Sequence, residues 1–498
     1  MAGEVTEILA MGTGIAELAV YSLAALGLYR HWGHTLAEAA AGAALLPAML
    51  ILFLLQCVEL TGGFPLVAGM RTVSLAAACV LLVRHRGRIF GLWRPWVNFS
   101  RAHPLAAAAL GAALAGLAGA AFFSAWPGGY RMPAPLSMPL SASLKMPPAS
   151  EGTVPWRALL LQPVFPGAFL LPWMAYLSIC LATYALARRY AWPPTAITAT
   201  LLVASMPRLV FLSVSRGGEI IPAAATLLFI LWLYRTVERP SARDLQLLAI
   251  GWAFSVTGGR IGLVFPLLGL LLTVLVLFRR HGGRIWWDLL RPVPLSCAAV
   301  ALPALVYIWG TLRADGGLSP DGFYNADGIR GAAANLLRYG LMMLDLTPPV
   351  EKVLTTAFGF DWHGVRLWCQ DHLLAALVNP VGRATAFGAP PPGDIAWAWF
   401  GPLAGLLFLP ALGWAFLRGP RRLKSVALCL VAYFVLVALI PAWRPENVQY
   451  FTVFFVCAGF ATAFMLPPWR MTRPRRRVLQ ACATALMAYA LGAVYRGL

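Results

Sequence analysis

Apolar runs of about 20 residues, the length an α-helix needs to cross a bilayer, recur from one end of this 498-residue chain to the other. The run "IIPAAATLLFILWLY" (220–234) has no charged side chain between Glu219 and Arg235. Soluble domains do not carry such runs in series, and lipid is the solvent that suits them. The composition agrees, with 60% hydrophobic and only 12% charged residues and a mean hydropathy of +0.73. The expected fold is all-α, a polytopic transmembrane helical bundle. A cleavable signal peptide is not expected, because "MAGEVTEILA" carries acids where such a peptide is basic.

Runs and breakers divide the chain into about fourteen spans. They lie near 7–29, 36–60, 63–83, 104–126, 165–187, 195–214, 219–235, 244–258, 261–278, 293–311, 396–417, 425–443, 447–466 and 478–495. The net charge of +20 is concentrated between them, in "RHRGR" (84–88), Arg188–Arg189, "FRRHGGR" (278–284), "RGPRRLK" (418–424) and "RPRRR" (473–477). None of these clusters is interleaved with aromatics, so nucleic acid is not an expected partner. The positive-inside effect accounts for them as cytoplasmic loops that touch membrane lipid. On that threading 24 of the 39 Lys and Arg are cytoplasmic, and 15 of the 19 acids face outward. Both termini come out extracytoplasmic.

Two outward loops are large, about 127–164 and about 312–395. The second contains "GAAANLLRYGLMMLDL" and "QDHLLAALV", whose amphipathic spacing predicts helices along the membrane surface. No internal repeat is visible, which argues against an inverted-repeat transporter. Seven of the eight cysteines fall inside apolar runs and only Cys369 in a loop, so no disulfide framework is implied.

An ionisable group at membrane depth is costly and is a functional candidate by default. The set is Arg208, Arg216, Glu219, Arg260, Asp394, Arg444 and Glu446, all at outward ends of spans. Glu219 opens a helix, where any acid interacts favourably with the helix dipole. Arg260 sits at the tip of the hairpin "SVTGGRIGLVF"; it reads either as a snorkelling anchor or as a fork for phosphate oxygens. Arg444 and Glu446 lie in the turn "PAWRPENVQYF". His363 and His372, with Asp361 and Asp371, match no closed zinc spacing. No cofactor is expected, and a divalent metal has no support in the ligand spacing.

Four segments resemble the GT-C superfamily of integral-membrane glycosyltransferases, which use polyprenyl-phosphate-linked sugars. They are 157–215, 215–268 ("SRGGEIIPAAATLL" through the Gly-rich hairpin), "RGAAANLLRYGLMML" (330–344), and "GDIAWAWFGPLAGLLFLPALGWAFLR" with "PAWRPENVQYFTVFFVCAGFATAF". The resemblance covers about 104–466, leaving 1–103 as extra N-terminal helices and 467–498 as a basic loop with a last helix. It implies transfer of a sugar from a polyprenyl-phosphate carrier to an extracytoplasmic acceptor, at a bacterial inner (plasma) membrane. Glu219 takes the place of a family acid near the acceptor or carrier. Arg260 takes that of a hairpin Lys, and Arg444 that of a late-turn basic residue. Arg216 and Asp394 join them as substrate-binding candidates.

The family also keeps an acid early in the first outward loop. Here that stretch reads "SAWPGGYRMPAPLSM", and Glu151 is the loop's only carboxylate. The resemblance therefore implies that Glu151 or Glu219 is the base, or that the chain is a catalytically inactive GT-C-like subunit binding a lipid or a partner membrane protein. A lipid-linked glycan transporter or polymerase is the third alternative.

Overall fold

The computed structural model describes residues 2–61, 64–91, 93–125, 167–214, 219–256, 264–282, 325, 327–343, 348–361, 364–365, 368–374, 400–401, 404–441, 447, 450–466 and 472–497. Every regular element among them is a helix, and there is no strand. The N-terminal part contains α1 (Ala2–His31), α2 (Leu36–Thr61), α3 (Phe64–Phe90), α4 (Trp93–Ala102) and α5 (Pro104–Ala125). There follow α6 (Leu171–Ala187), α7 (Pro193–Ala204), α8 (Pro207–Leu212), α9 (Ile220–Glu238), α10 (Ala242–Ser255) and α11 (Val264–His281). Next come α12 (Gly328–Met343), α13 (Pro348–Phe358), α14 (Leu409–Arg418), α15 (Arg421–Leu439), α16 (Phe451–Ala458), α17 (Thr462–Met465) and α18 (Arg473–Gly497). Five helices are long and apolar enough to cross a membrane among the described residues: those over Leu9–His31, Ala168–Ala187, Ile220–Glu238, Arg421–Leu439 and Arg473–Tyr495.

The centre of the bundle is α9. A helix apolar all round has no solvent face to offer and is surrounded by other helices. Here 94% of its apolar window is buried. It packs on α10, α6, α16, α2 and α11. Its large rings sit in glycine notches. A Cβ on Gly251 of α10 would lie 2.8 Å from the Trp232 ring, and one on Gly269 of α11 would lie 2.6 Å from Phe229.

The runs 195–214 and 447–466 each read as one span; the first breaks and the second stays helical but tightens. The first splits at Ser205–Met206, where Met206 turns extended (ψ 118°) ahead of Pro207. Proline disfavours a helical residue before it and supplies no N–H, so the helix restarts there. Tyr176 donates its hydroxyl hydrogen to the freed carbonyl of Ala204 at 2.7 Å. The second run passes through a 3-10 turn at Gly459–Ala461. A Cβ on Gly459 would fall 2.1 Å from Val203 Cγ2, so glycine permits that helix crossing.

The end of the bundle that holds the C-terminus of α9 is an ion-pair network. Arg189 reaches Glu38 at 2.7 Å and also pairs with Glu238. Arg235 binds Asp244 at 2.7 Å and Glu38 at 3.1 Å, and Arg422 binds Glu238 at 3.0 Å. Glu38 doubles as a helix cap, accepting from Thr35 N at 3.0 Å, and Ser241 Oγ accepts from Asp244 N at 3.1 Å. Segments distant in sequence, around residues 34–38, 189, 235–244 and 422, therefore meet at one end. On α1 and α3, Arg71 Nε bridges both oxygens of Glu17 at 2.9 and 3.1 Å, and Tyr21 Oη lies 2.9 Å from Ser74 Oγ.

His34 is enclosed in that network. It is 1% exposed, its ring lies 3.5 Å from Asp244, and neither ring nitrogen has a hydrogen-bond partner among the described residues. Burial and then Arg235 push its pKa down from 6.5 to about 4, against the pulls of Asp244 and Glu38. The neutral ring is therefore the folded form, and between those values the unfolded chain binds a proton that the folded chain does not. Stability attributable to His34 is full above the upper value and is lost as pH falls toward the lower. We expect the thermal midpoint in detergent to drop more steeply for the wild type than for His34→Gln as pH is lowered across that window. Parallel curves would exclude the burial effect.

Candidate functional site

At the opposite end of α9 the chain enters the helix through Glu219. The N-cap position normally turns a side chain back onto the helix's own N–H groups. Glu219 makes no such bond. Its Oε2 instead accepts from Arg208 Nη2 at 2.7 Å, with Arg208 3% exposed and Glu219 13% exposed. Arg208 is the second residue of α8, so the break at Pro207 is what aims it at Glu219.

Two further segments fix the guanidinium. Its Nε donates to Thr452 Oγ1 at 3.1 Å, in the first turn of α16. Its face lies over the Phe400 ring, 5.7 Å from the centroid, a cation–π contact worth about 2 kcal/mol when desolvated. Phe400 is held there by the next residue. Gly401 has φ +81°, which favours glycine, and a Cβ there would meet Pro207 Cδ at 3.1 Å. Phe400 also packs on Phe455, with ring centroids 4.6 Å apart. Among the described residues Glu219 Oε1 accepts no hydrogen bond, so one oxygen is fixed and the other is open.

A second polar layer adjoins this pair. In α12, Asn335 donates to the carbonyls of Ala438 and Pro441 at 2.9 and 3.3 Å, which satisfies the C-terminal end of α15. Arg338 donates to Asn335 Oδ1 at 3.3 Å and is 2% exposed, and burial lowers its pKa. Tyr339 packs edge-on against Phe451 at 4.6 Å, next to Thr452. The helix expected along the membrane surface thus docks on the bundle through Asn335 and Tyr339.

Of the sequence candidates, the structure brings Glu219 and Arg208 together. Glu151, Arg216, Arg260, Asp394, Arg444, Glu446 and His363 lie outside the described residues. Asp361 Oδ1 accepts from Gly364 N at 3.0 Å, and the exposed His372 stacks on Trp368 at 5.1 Å. Among the described residues no group of three or more His, Cys, Asp or Glu is arranged to hold a metal ion. Thr452, Phe400 and Arg338 were not singled out from sequence. The cation Arg338 inside "NLLRYGLMM" was the available signal, whereas Thr452 and Phe400 carry none that a linear reading detects. No known protein-family profile matches the chain, and no characterised protein matches it.

Removing one partner of a buried pair strands the other charge, at a cost of about 3–5 kcal/mol, whereas removing both is often nearly neutral. Arg208→Ala should therefore lower the thermal midpoint of the purified chain sharply. The double variant Arg208→Met with Glu219→Leu should recover much of the loss. Additive losses in the double variant would show that the pair is not coupled.

Proposed function

We propose that this chain is an integral-membrane glycosyltransferase of the GT-C kind, with about fourteen spans and two large outward loops. It moves a sugar from a polyprenyl-phosphate carrier to an acceptor on the extracytoplasmic side of a bacterial inner membrane. The observation that carries the reading is the buried Glu219–Arg208 pair at the start of α9, which leaves Glu219 Oε1 open. The resemblance to that superfamily, which covers about 104–466, supports it. So does the positive-inside threading, which puts the Glu219 end outward.

In this reading the acceptor hydroxyl oxygen attacks the anomeric carbon. Its proton passes to a carboxylate, Glu219 Oε1 or Glu151, while the bond to the carrier phosphate breaks and that phosphate keeps the electron pair. Arg208 positions Glu219 by holding Oε2. Arg260, Arg216 and Arg444 stabilise the carrier phosphate, for which a guanidinium fork is suited, and Asp394 completes the substrate-binding set. A second reading, a non-catalytic subunit that binds the lipid phosphate or a partner membrane protein, is favoured by one fact. The engagement of Glu219 Oε2 by Arg208 ties up part of the only described carboxylate in the set.

The test is transfer from a polyprenyl-phosphate sugar by the full chain in proteoliposomes. Glu219→Gln and Arg260→Ala should each reduce turnover by about 100-fold or more, the range for loss of a general base or a charge-stabilising group. Turnover at the wild-type level in both variants would refute the assignment. Binding of the carrier lipid by a wild type that transfers nothing would establish the second reading.

A further inference from the structure

The bundle end that carries the ion-pair network also holds positive charge that the network does not use. His31, the last residue of α1, stacks on His85 of α3 with ring centroids 5.0 Å apart and planes 28° off parallel. The close approach depends on Gly27, where a Cβ would lie 2.8 Å from His85 Cβ. The charged groups that bear on His31 are Arg88, Arg243 and Arg84; those on His85 are His31, Arg88 and Arg84. All are cations. The described acids of this end are already engaged: Glu38 by Arg189 and Arg235, Glu238 by Arg189 and Arg422, and Asp244 by Arg235. Arg84 and Arg88 are exposed and make no ion pair among the described residues. A counter-charge for this cluster has to come from outside it.

The shape of the surroundings selects the kind of anion. On α3, Val73, Val80, Arg84 and Arg88 fall at helical spacing on one stripe, since residues four and seven apart share a face. Val73 and Val80 are 70% and 66% exposed. The stripe is apolar along the helix and cationic where the helix leaves the apolar zone. Trp32, the residue after His31, carries the Arg243 guanidinium 5.7 Å over its ring, and aromatic side chains favour the level where lipid headgroups begin. A ligand that matches both parts has acyl chains and a phosphate.

We propose that His31, His85, Arg84, Arg88 and Arg243 form a binding site for the headgroup of an anionic phospholipid in the leaflet at this end, whose acyl chains lie along the Val73–Val80 face. The site is remote from Glu219 and does not depend on the transfer reading. Arg84 and Arg88 supply the headgroup charge. Arg86, on the opposite side of α3, does not.

The test is thermal unfolding of the full chain in a neutral detergent, titrated with short-chain phosphatidylglycerol, with the phosphatidylcholine of equal chain length, and with inorganic phosphate. Phosphatidylglycerol should raise the midpoint saturably. The double variant Arg84→Gln with Arg88→Gln should weaken that apparent affinity about thirtyfold, the factor two cations supply at a membrane surface. Arg86→Gln, and the double variant Arg84→Lys with Arg88→Lys, should respond like the wild type. Three results would each overturn the proposal: an equal response to phosphatidylcholine, an equal response to inorganic phosphate alone, or an unchanged affinity in the double Gln variant.

Discussion

A helix without charge for its whole apolar length can be buried all round only if the charges at its two ends are neutralised where they sit. The α9 helix meets that condition twice. At one end Glu219 is held by Arg208; at the other Arg235 and Glu238 are held by Glu38, Asp244, Arg189 and Arg422. Arg235 and Glu238 follow Glu219 by 16 and 19 residues, which puts the two ionic layers about 24–28 Å apart at 1.5 Å per residue, close to the thickness of a hydrocarbon core. α15 repeats the arrangement in the opposite direction, from Arg422 in one layer to Ala438 beneath Asn335 in the other. Between the layers α9 presents apolar side chains, with the Thr226 hydroxyl donating to the Pro222 carbonyl and the large rings seated in glycine notches.

Much of this was legible in the sequence because it follows from composition along the chain. The 220–234 run announces a fully buried helix, and the sign of each loop's charge separates the segments that meet around Glu38 from those around Glu219. The break before Pro207 was also written in the chain, but the apolar run on both sides masks it. Other features depend on which helices become neighbours. Arg208 finds Glu219 because a helix restarts between them. Phe400 and Thr452 reach the same guanidinium from 192 and 244 residues away in the sequence, and no spacing rule connects them.

The structure changes what Glu219 is. In the sequence it is a solitary acid ahead of a hydrophobic run; in the fold one oxygen is fixed by a guanidinium that has its own hydrogen bond and its own ring to rest on. A carboxylate with one fixed and one open oxygen is oriented, and orientation is what a group acting on a bound lipid-linked sugar requires. The same pair joins α8, α9 and α16, so the chemistry proposed for this end and the integrity of the bundle rest on shared side chains.

The central claim is that α9 carries its two ionic layers to opposite faces of a membrane, with the Glu219 layer outward. Labelling of single cysteines by a membrane-impermeant thiol reagent in whole cells tests it directly. Ile329→Cys, on the exposed first turn of α12 beside the Glu219 layer, should label in intact cells. Ser241→Cys, at the exposed cap of α10 beside the Glu38 layer, should label only after the membrane is permeabilised. Labelling of both positions from the same side would contradict the account.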